Sequence, residues 1–164
     1  MRSASGATTA HTKGLFGLFL NFVKVSSMNT IFSFQSNKTH YTADACIVWC
    51  FDDRFSKLLD EYIKQQNFAH VDLVKIAGGA KDLASPENEP ARAYLLDQIA
   101  KSIKLHHTKE IILMAHSECG AYGGSTDVDF YTNELQRARE SVQKQFPDIT
   151  VECIYADFEL LQHV

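Results

Sequence analysis

The sequence predicts a three-layer α/β/α domain with a mainly parallel central sheet of about four strands. Three observations lead there. Short apolar runs alternate with segments of three- and four-residue periodicity, the order expected of strands joined by crossover helices. The apolar runs are continuous, as in strands covered on both faces. A chain of 164 residues that is 45% hydrophobic has the length of one domain and can bury a core.

Taken in order, "ACIVW" (45–49) is the first strand. Phe55, Leu58, Leu59, Tyr62 and Ile63 recur at helical spacing, so 54–67 reads as an amphipathic helix. "VDLVKIA" (71–77) is the second strand, ended by Gly78-Gly79. The stretch "KDLASPENEP" (81–90) holds two of the three prolines and reads as a loop. Residues 91–106 are helical, with Leu95, Ile99 and Ile103 on one face. "EIILMA" (110–115) is the third strand. Beyond a Gly-rich turn, Tyr131, Leu135, Ala138, Val142 and Phe146 mark a long helix stopped by Pro147. "ITVECIYA" (149–156) is the fourth strand, and no internal repeat is visible.

A net charge of −4 gives no basic footprint for nucleic acid. The charge is uneven. No Asp or Glu precedes Asp44, and Arg2, Lys13, Lys24 and Lys38 give that segment +4, leaving −8 on the rest. Residues 1–43 are therefore expected to be an extension or arm ahead of a domain at 44–164. The acid-poor, hydroxyl-rich composition also resembles an organellar transit peptide. A start at Met28 is a further reading, and so is a secretory signal, although no small-residue cleavage site clearly follows the apolar run. That run, "LFGLFLNFV" (15–23), is too short to span a bilayer. The expected location is the cytoplasm, with organellar targeting as the alternative.

Four cysteines in a chain of this length do not read as a disulfide scaffold. Cys46 and Cys153 read as small core residues. Cys50 and Cys119 differ, because they stand just past strands, where α/β sheets bind ligands. The first strand runs into Cys50-Phe51-Asp52-Asp53-Arg54, and the third into His116-Ser117-Glu118-Cys119-Gly120. Singly, each is commonly a packing residue. Together, two thiols and an imidazole at one sheet edge make a soft three-ligand set suited to Zn²⁺, with the fourth position open to water. A metal there brings the pKa of water to about 7. Residues two apart in an extended segment share a side, so Asp52 and Arg54 are expected to pair beside the metal. An Asp held ionised by Arg can orient a zinc-bound water, whereas the plain alternative is a surface ion pair of under ~1 kcal/mol.

The elements Cys50-x-Asp52-x-Arg54 and His116-x-x-Cys119-Gly120, with Ala77-Gly78-Gly79 between them, resemble the β-class carbonic anhydrases over roughly residues 44–157. The resemblance implies zinc on Cys50, His116 and Cys119, and Asp52 with Arg54 as the catalytic orienting dyad. It also implies reversible hydration of carbon dioxide to bicarbonate by zinc-bound hydroxide. The other partner implied is a second copy of the chain, in a homodimer or higher oligomer.

Gly78, Gly79, Gly120 and Tyr122 are candidates for the cleft wall. The alternatives are a zinc hydrolase of a carbon dioxide analogue, carbonyl sulfide or carbon disulfide, and a noncatalytic zinc-binding module. Three departures from the family pattern stand out. Lys75-Ile76 replaces a usual Arg-Asn, Asp53 replaces a small hydroxyl residue, and the chain ends soon after the fourth strand. His106-His107, near a helix C-terminus, are explained by the dipole and solvent, with proton shuttling the other reading.

Overall fold

The computed structural model describes residues 29–164. The expectation of a targeting segment or arm falls largely on residues 1–28, which lie outside the described residues. Thr39–Val164 form a compact unit.

Strands β1 (Ala45–Cys50), β2 (Val71–Ile76), β3 (Glu110–His116), β4 (Thr150–Ala156) and β5 (Leu161–His163) form one sheet in the order β2-β1-β3-β4-β5. The first four are parallel, and β5 runs antiparallel along β4. The strand count expected from sequence is thus exceeded by one.

Strand alternation divides the core into two halves. On β1, Cys46, Val48 and Cys50 face one side while Ala45, Ile47 and Trp49 face the other. Ile111, Leu113 and Ala115 of β3 repeat the first set, and Ile112 and Met114 the second. Every residue of β1 is buried, which explains its unbroken apolar run. Burying each such aliphatic or aromatic side chain contributes on the order of 2 kcal/mol.

Helix α1 (Ser56–Gln65) covers the Trp49 side through Leu59 and Tyr62. Helices α2 (Lys81–Ala84), α3 (Glu89–His106) and α4 (Val128–Gln145) cover the opposite side through Leu83, Leu95, Ile99, Leu135 and Val142. These are the three expected layers.

Boundaries follow side-chain chemistry. Asn88 caps α3 by accepting from Ala91 N, and Pro90 sits in the first turn, where a missing N–H is harmless. Asp127 caps α4, whose C-cap is Phe146, the residue before Pro147.

Two expectations need correction. Residues 81–90 are not a continuous loop, because Lys81–Ala84 form a helical turn and α3 starts at Glu89. The segment read as one helix over 54–67 begins as a 3₁₀ turn at Asp53–Phe55 before α1. That turn positions the site.

Candidate metal centre

The chain leaves β1 for β2 on one side and returns across it to β3 on the other. The direction of winding therefore reverses between β1 and β3, and in open α/β sheets ligands bind beyond the carboxyl ends at such a point. Cys50 ends β1 and His116 ends β3.

Cys119 follows one turn later. Its loop is fixed by bonds from Glu118 N to Ser125 O (2.8 Å) and from Cys119 N to the Tyr131 hydroxyl (3.3 Å). Glu118 takes a left-handed backbone, φ 56°, and so swings Cys119 back over the sheet edge. Cys50 Sγ and Cys119 Sγ lie 4.0 Å apart. One donor atom from each of Cys50, His116 and Cys119 lies within 4.8 Å of the others, and all three residues are buried.

The orientation of His116 is set by its neighbours. Nδ1 lies 2.8 Å from the Ser117 carbonyl oxygen, so Nδ1–H donates there. Nε2 is buried with no hydrogen-bond partner. An imidazole held in that tautomer presents a bare lone pair, the state a metal ligand requires. The ring packs on Phe55 (4.4 Å between centroids) and Trp49 (5.6 Å).

The thiols are unequal. The contact between the two sulfurs, against burial, draws the Cys50 thiol below its ordinary value. The same contact, with burial added, pushes Cys119 well above the ordinary thiol value. A dication taking both sulfurs as thiolates would remove that conflict. The buried Cys50–His116–Cys119 group is compatible with a metal ion.

Gly79 supports the site from beneath. A Cβ there would meet Met114 O at 2.6 Å and Cys50 N at 3.0 Å, and φ is +57°. Only glycine lets the second turn approach the backbone that presents Cys50.

Asp52 and Arg54 are brought together, though not by an extended segment. Asp52 caps the 3₁₀ turn, its Oδ1 accepting from Arg54 N at 3.1 Å. The turn curls the guanidinium back, so Nε reaches both carboxylate oxygens at 3.1 Å and Nη2 reaches Oδ2 at 2.7 Å. These bonds hold the Asp52 carboxyl below its ordinary value. Asp52 Oδ2 lies 4.0 Å from His116 Nε2. The pair therefore borders the metal group.

A cleft opens over the group. Its wall includes Phe51, Asp52, Asp53, Ala77, Gly78, Gly120 and Ala121, with Cys50 and Cys119 at the base. Gly78 and Gly120 are among its lining residues. Gly79 lies beneath, and Tyr122 turns inward against Tyr131 with its hydroxyl buried. Asp53 stands at the wall as the first residue of the 3₁₀ turn, exposed.

The remaining candidates are elsewhere. Cys46 and Cys153 are buried, and all four thiols are free. His106 lies against Asp72 (2.8 Å), which pairs in register with Cys46, about 13 Å of strand from Cys50. His107 is the left-handed cap of α3. Both are remote from the metal group, so the proton-shuttle reading is dropped.

Sequence reasoning missed three contributors: the Ser117 carbonyl, Glu118, and Phe55 as a support for His116. Phe55 reads in the sequence as an ordinary helix-face residue.

Comparisons with known proteins agree with this architecture. A family model described as "Putative carbonic anhydrase" matches residues 40–163. An uncharacterized protein of Rickettsia bellii is 26% identical over 125 residues, covering 70% of this chain and 76% of that protein. One of Rickettsia conorii is 25% identical over 161 residues, covering 82% and 87%.

Among solved structures, a carbonic anhydrase from Streptococcus mutans matches with a TM-score of 0.50 at 18% identity, covering 76% of this chain and 83% of that one. A β-carbonic anhydrase from Trichomonas vaginalis matches with 0.52 at 14% identity, covering 80% and 87%. These likenesses establish the fold. With a family match running from residue 40 to residue 163, the chain belongs to the carbonic anhydrase family so described, as a divergent member with the β-carbonic anhydrase fold.

Proposed function

We propose that this protein is a zinc enzyme that catalyses the reversible hydration of carbon dioxide to bicarbonate and a proton. The observation that carries the reading is the unpartnered Nε2 of His116, buried between two thiols and bordered by the Asp52–Arg54 pair. The donor set also fits zinc by size. Tetrahedral thiolates at about 2.3 Å from the ion stand about 3.8 Å apart, against the 4.0 Å found here.

Cys50, His116 and Cys119 would hold the ion, with the chain supplying three donors and leaving one position open. When bound, the ion supplies a Lewis acid that lets water ionise near pH 7. Asp52 is kept ionised by Arg54, so its carboxylate would serve as a hydrogen-bond acceptor that orients a water at the open position. Phe51, Ala77 and Ala121 give the cleft apolar walls suited to a small uncharged molecule. The proton released leaves through the cleft to solvent buffer.

Four free thiols suit a reducing compartment, the cytoplasm first. Among the described residues no helix is long and apolar enough to cross a membrane. Leu73 on edge strand β2 is 46% exposed and Phe51 at the cleft is 62% exposed. A second copy of the chain covering these side chains would give the oligomer the family resemblance implies.

Stopped-flow hydration of carbon dioxide by zinc-loaded protein tests the reading. Turnover above buffer that Asp52→Asn largely abolishes is expected. Turnover of carbonyl sulfide or carbon disulfide alone would move the substrate to an analogue. Stoichiometric zinc with no turnover would leave a binding module.

A further inference from the structure

The turn between β4 and β5 brings an aromatic side chain to the site. Asp157 Oδ1 accepts from Glu159 N and Leu160 N, both at 2.8 Å, and Asp157 N donates to Leu160 O at 3.0 Å. This tight turn presents Phe158 outward, 55% exposed, with its ring 5.3 Å from the Arg54 guanidinium carbon and 5.1 Å from the Phe55 ring. Phe55 in turn packs on His116. An exposed phenylalanine at the end of a short hairpin gains little by burial there. What it touches is the cation of the dyad.

Arg54 has a third set of contacts. Nη2 donates to the Glu118 carbonyl oxygen at 3.3 Å, and Nη1 reaches Glu118 Oε2 at 3.4 Å. The Arg54 side chain is 47% exposed. A half-exposed arginine has many rotamers, and its bonds to Asp52 alone fix one edge of the guanidinium. The Phe158 ring, at 5.3 Å nearer than the Phe55 ring at 5.8 Å, lies against the guanidinium, and Glu118 holds the adjacent Nη1–Nη2 edge.

We propose that Phe158 and Glu118 are positioning residues that lock the plane of Arg54, and through it the carboxylate of Asp52, beside the metal group. The inference rests on the proposed role of the dyad. It makes the C-terminal hairpin part of the site, and it links the Cys119 loop to Asp52 through one side chain. Phe158 contributes through the ring quadrupole and planar stacking, so tyrosine substitutes for it and leucine does not.

The test uses full-length zinc-loaded protein and reads the Arg54 Nε–H by ¹⁵N–¹H NMR. Phe158→Leu is expected to speed exchange of that proton with water by about threefold. Glu118→Gln should act in the same direction, and Phe158→Tyr should leave the rate at the wild-type value. In carbon dioxide hydration, Phe158→Leu should lower kcat by about threefold with KM unchanged, and that loss should vanish in an Arg54→Lys background.

Unchanged Nε–H exchange in Phe158→Leu would overturn the proposal. Equal effects of leucine and tyrosine would also overturn it, as would fully additive losses with Arg54→Lys. If wild-type zinc-loaded protein hydrates no carbon dioxide, the functional reading fails, while the exchange measurements still decide the clamp.

Discussion

Cys50 Sγ and Cys119 Sγ lie 4.0 Å apart, although 69 residues separate them in the chain. Nothing covalent joins them. Their proximity is built by the ends of β1 and β3 and by the left-handed Glu118 turn. Two buried sulfurs this close to each other and to the bare Nε2 of His116 are compatible with a cation between them. Cys50→Ser and Cys119→Ser should each weaken zinc binding by more than about a hundredfold, beyond the typical loss when an outer-shell partner is changed. Competition with a chromophoric chelator measures it. Undiminished affinity in either variant would remove that residue from the metal set.

Asp52 lies beside the buried Cys50–His116–Cys119 group and does not belong to it. Asp52→Asn should therefore retain zinc while lowering kcat by about tenfold to a hundredfold, the range for groups that orient a metal-bound ligand. Zinc content and stopped-flow kinetics on one preparation separate the two effects. Loss of zinc with loss of rate would place Asp52 among the ligands instead.

Gly79 predicts a stability effect with a local cause. Gly79→Ala adds a Cβ 2.6 Å from Met114 O at a residue with φ +57°. The strained backbone alone costs on the order of 2 kcal/mol, and the contact adds to it. Urea denaturation should show the loss at every pH, together with weaker zinc binding, because Cys50 N is the next atom met. Gly124→Ala, with positive φ but open space around it, should cost less.

The unit also carries an acid-sensitive tie far from the site. Burial pushes the Asp72 carboxyl up, but bonds from Ser102, His106 and Tyr41 outweigh it and bring it below its ordinary value. A depressed folded pKa means that the contribution is complete above the unfolded value of about 3.9 and is lost as pH falls through the folded value. The stability difference between wild type and Asp72→Asn should therefore shrink as pH is lowered from 6 through about 4 and below. Urea midpoints across that range test it, and a gap that widens toward acid would refute the assignment.

Much of this architecture is legible in the sequence because the physics is local. The β1 and β3 runs are unbroken since both faces are buried, and helix α4 declares itself through Tyr131, Leu135, Ala138 and Val142. The Cys50–His116–Cys119 group is legible because thiols and an imidazole stand just past such runs. What escaped depends on tertiary context. Strand β5 is three residues long, only partly buried and carried entirely by pairing with β4, so it has no apolar run of its own.

Pro86, just past the C-cap of α2, and Pro90, in the first turn of α3, disguised a helical turn and a helix start. The Asp52–Arg54 pairing was readable, but its cause is a capped 3₁₀ turn, which a period-two argument does not contain. Phe158 was invisible because its contact with Arg54 exists only once the β4–β5 turn is formed.

X-ray absorption at the zinc edge, on protein reconstituted with about one zinc per chain, reads the proposed ligand set itself. Two sulfurs at about 2.3 Å and two nitrogen or oxygen donors at about 2.0–2.1 Å are expected, with one sulfur lost in Cys119→Ser. A four-sulfur shell, a shell without sulfur, or one unaltered by Cys119→Ser would contradict it.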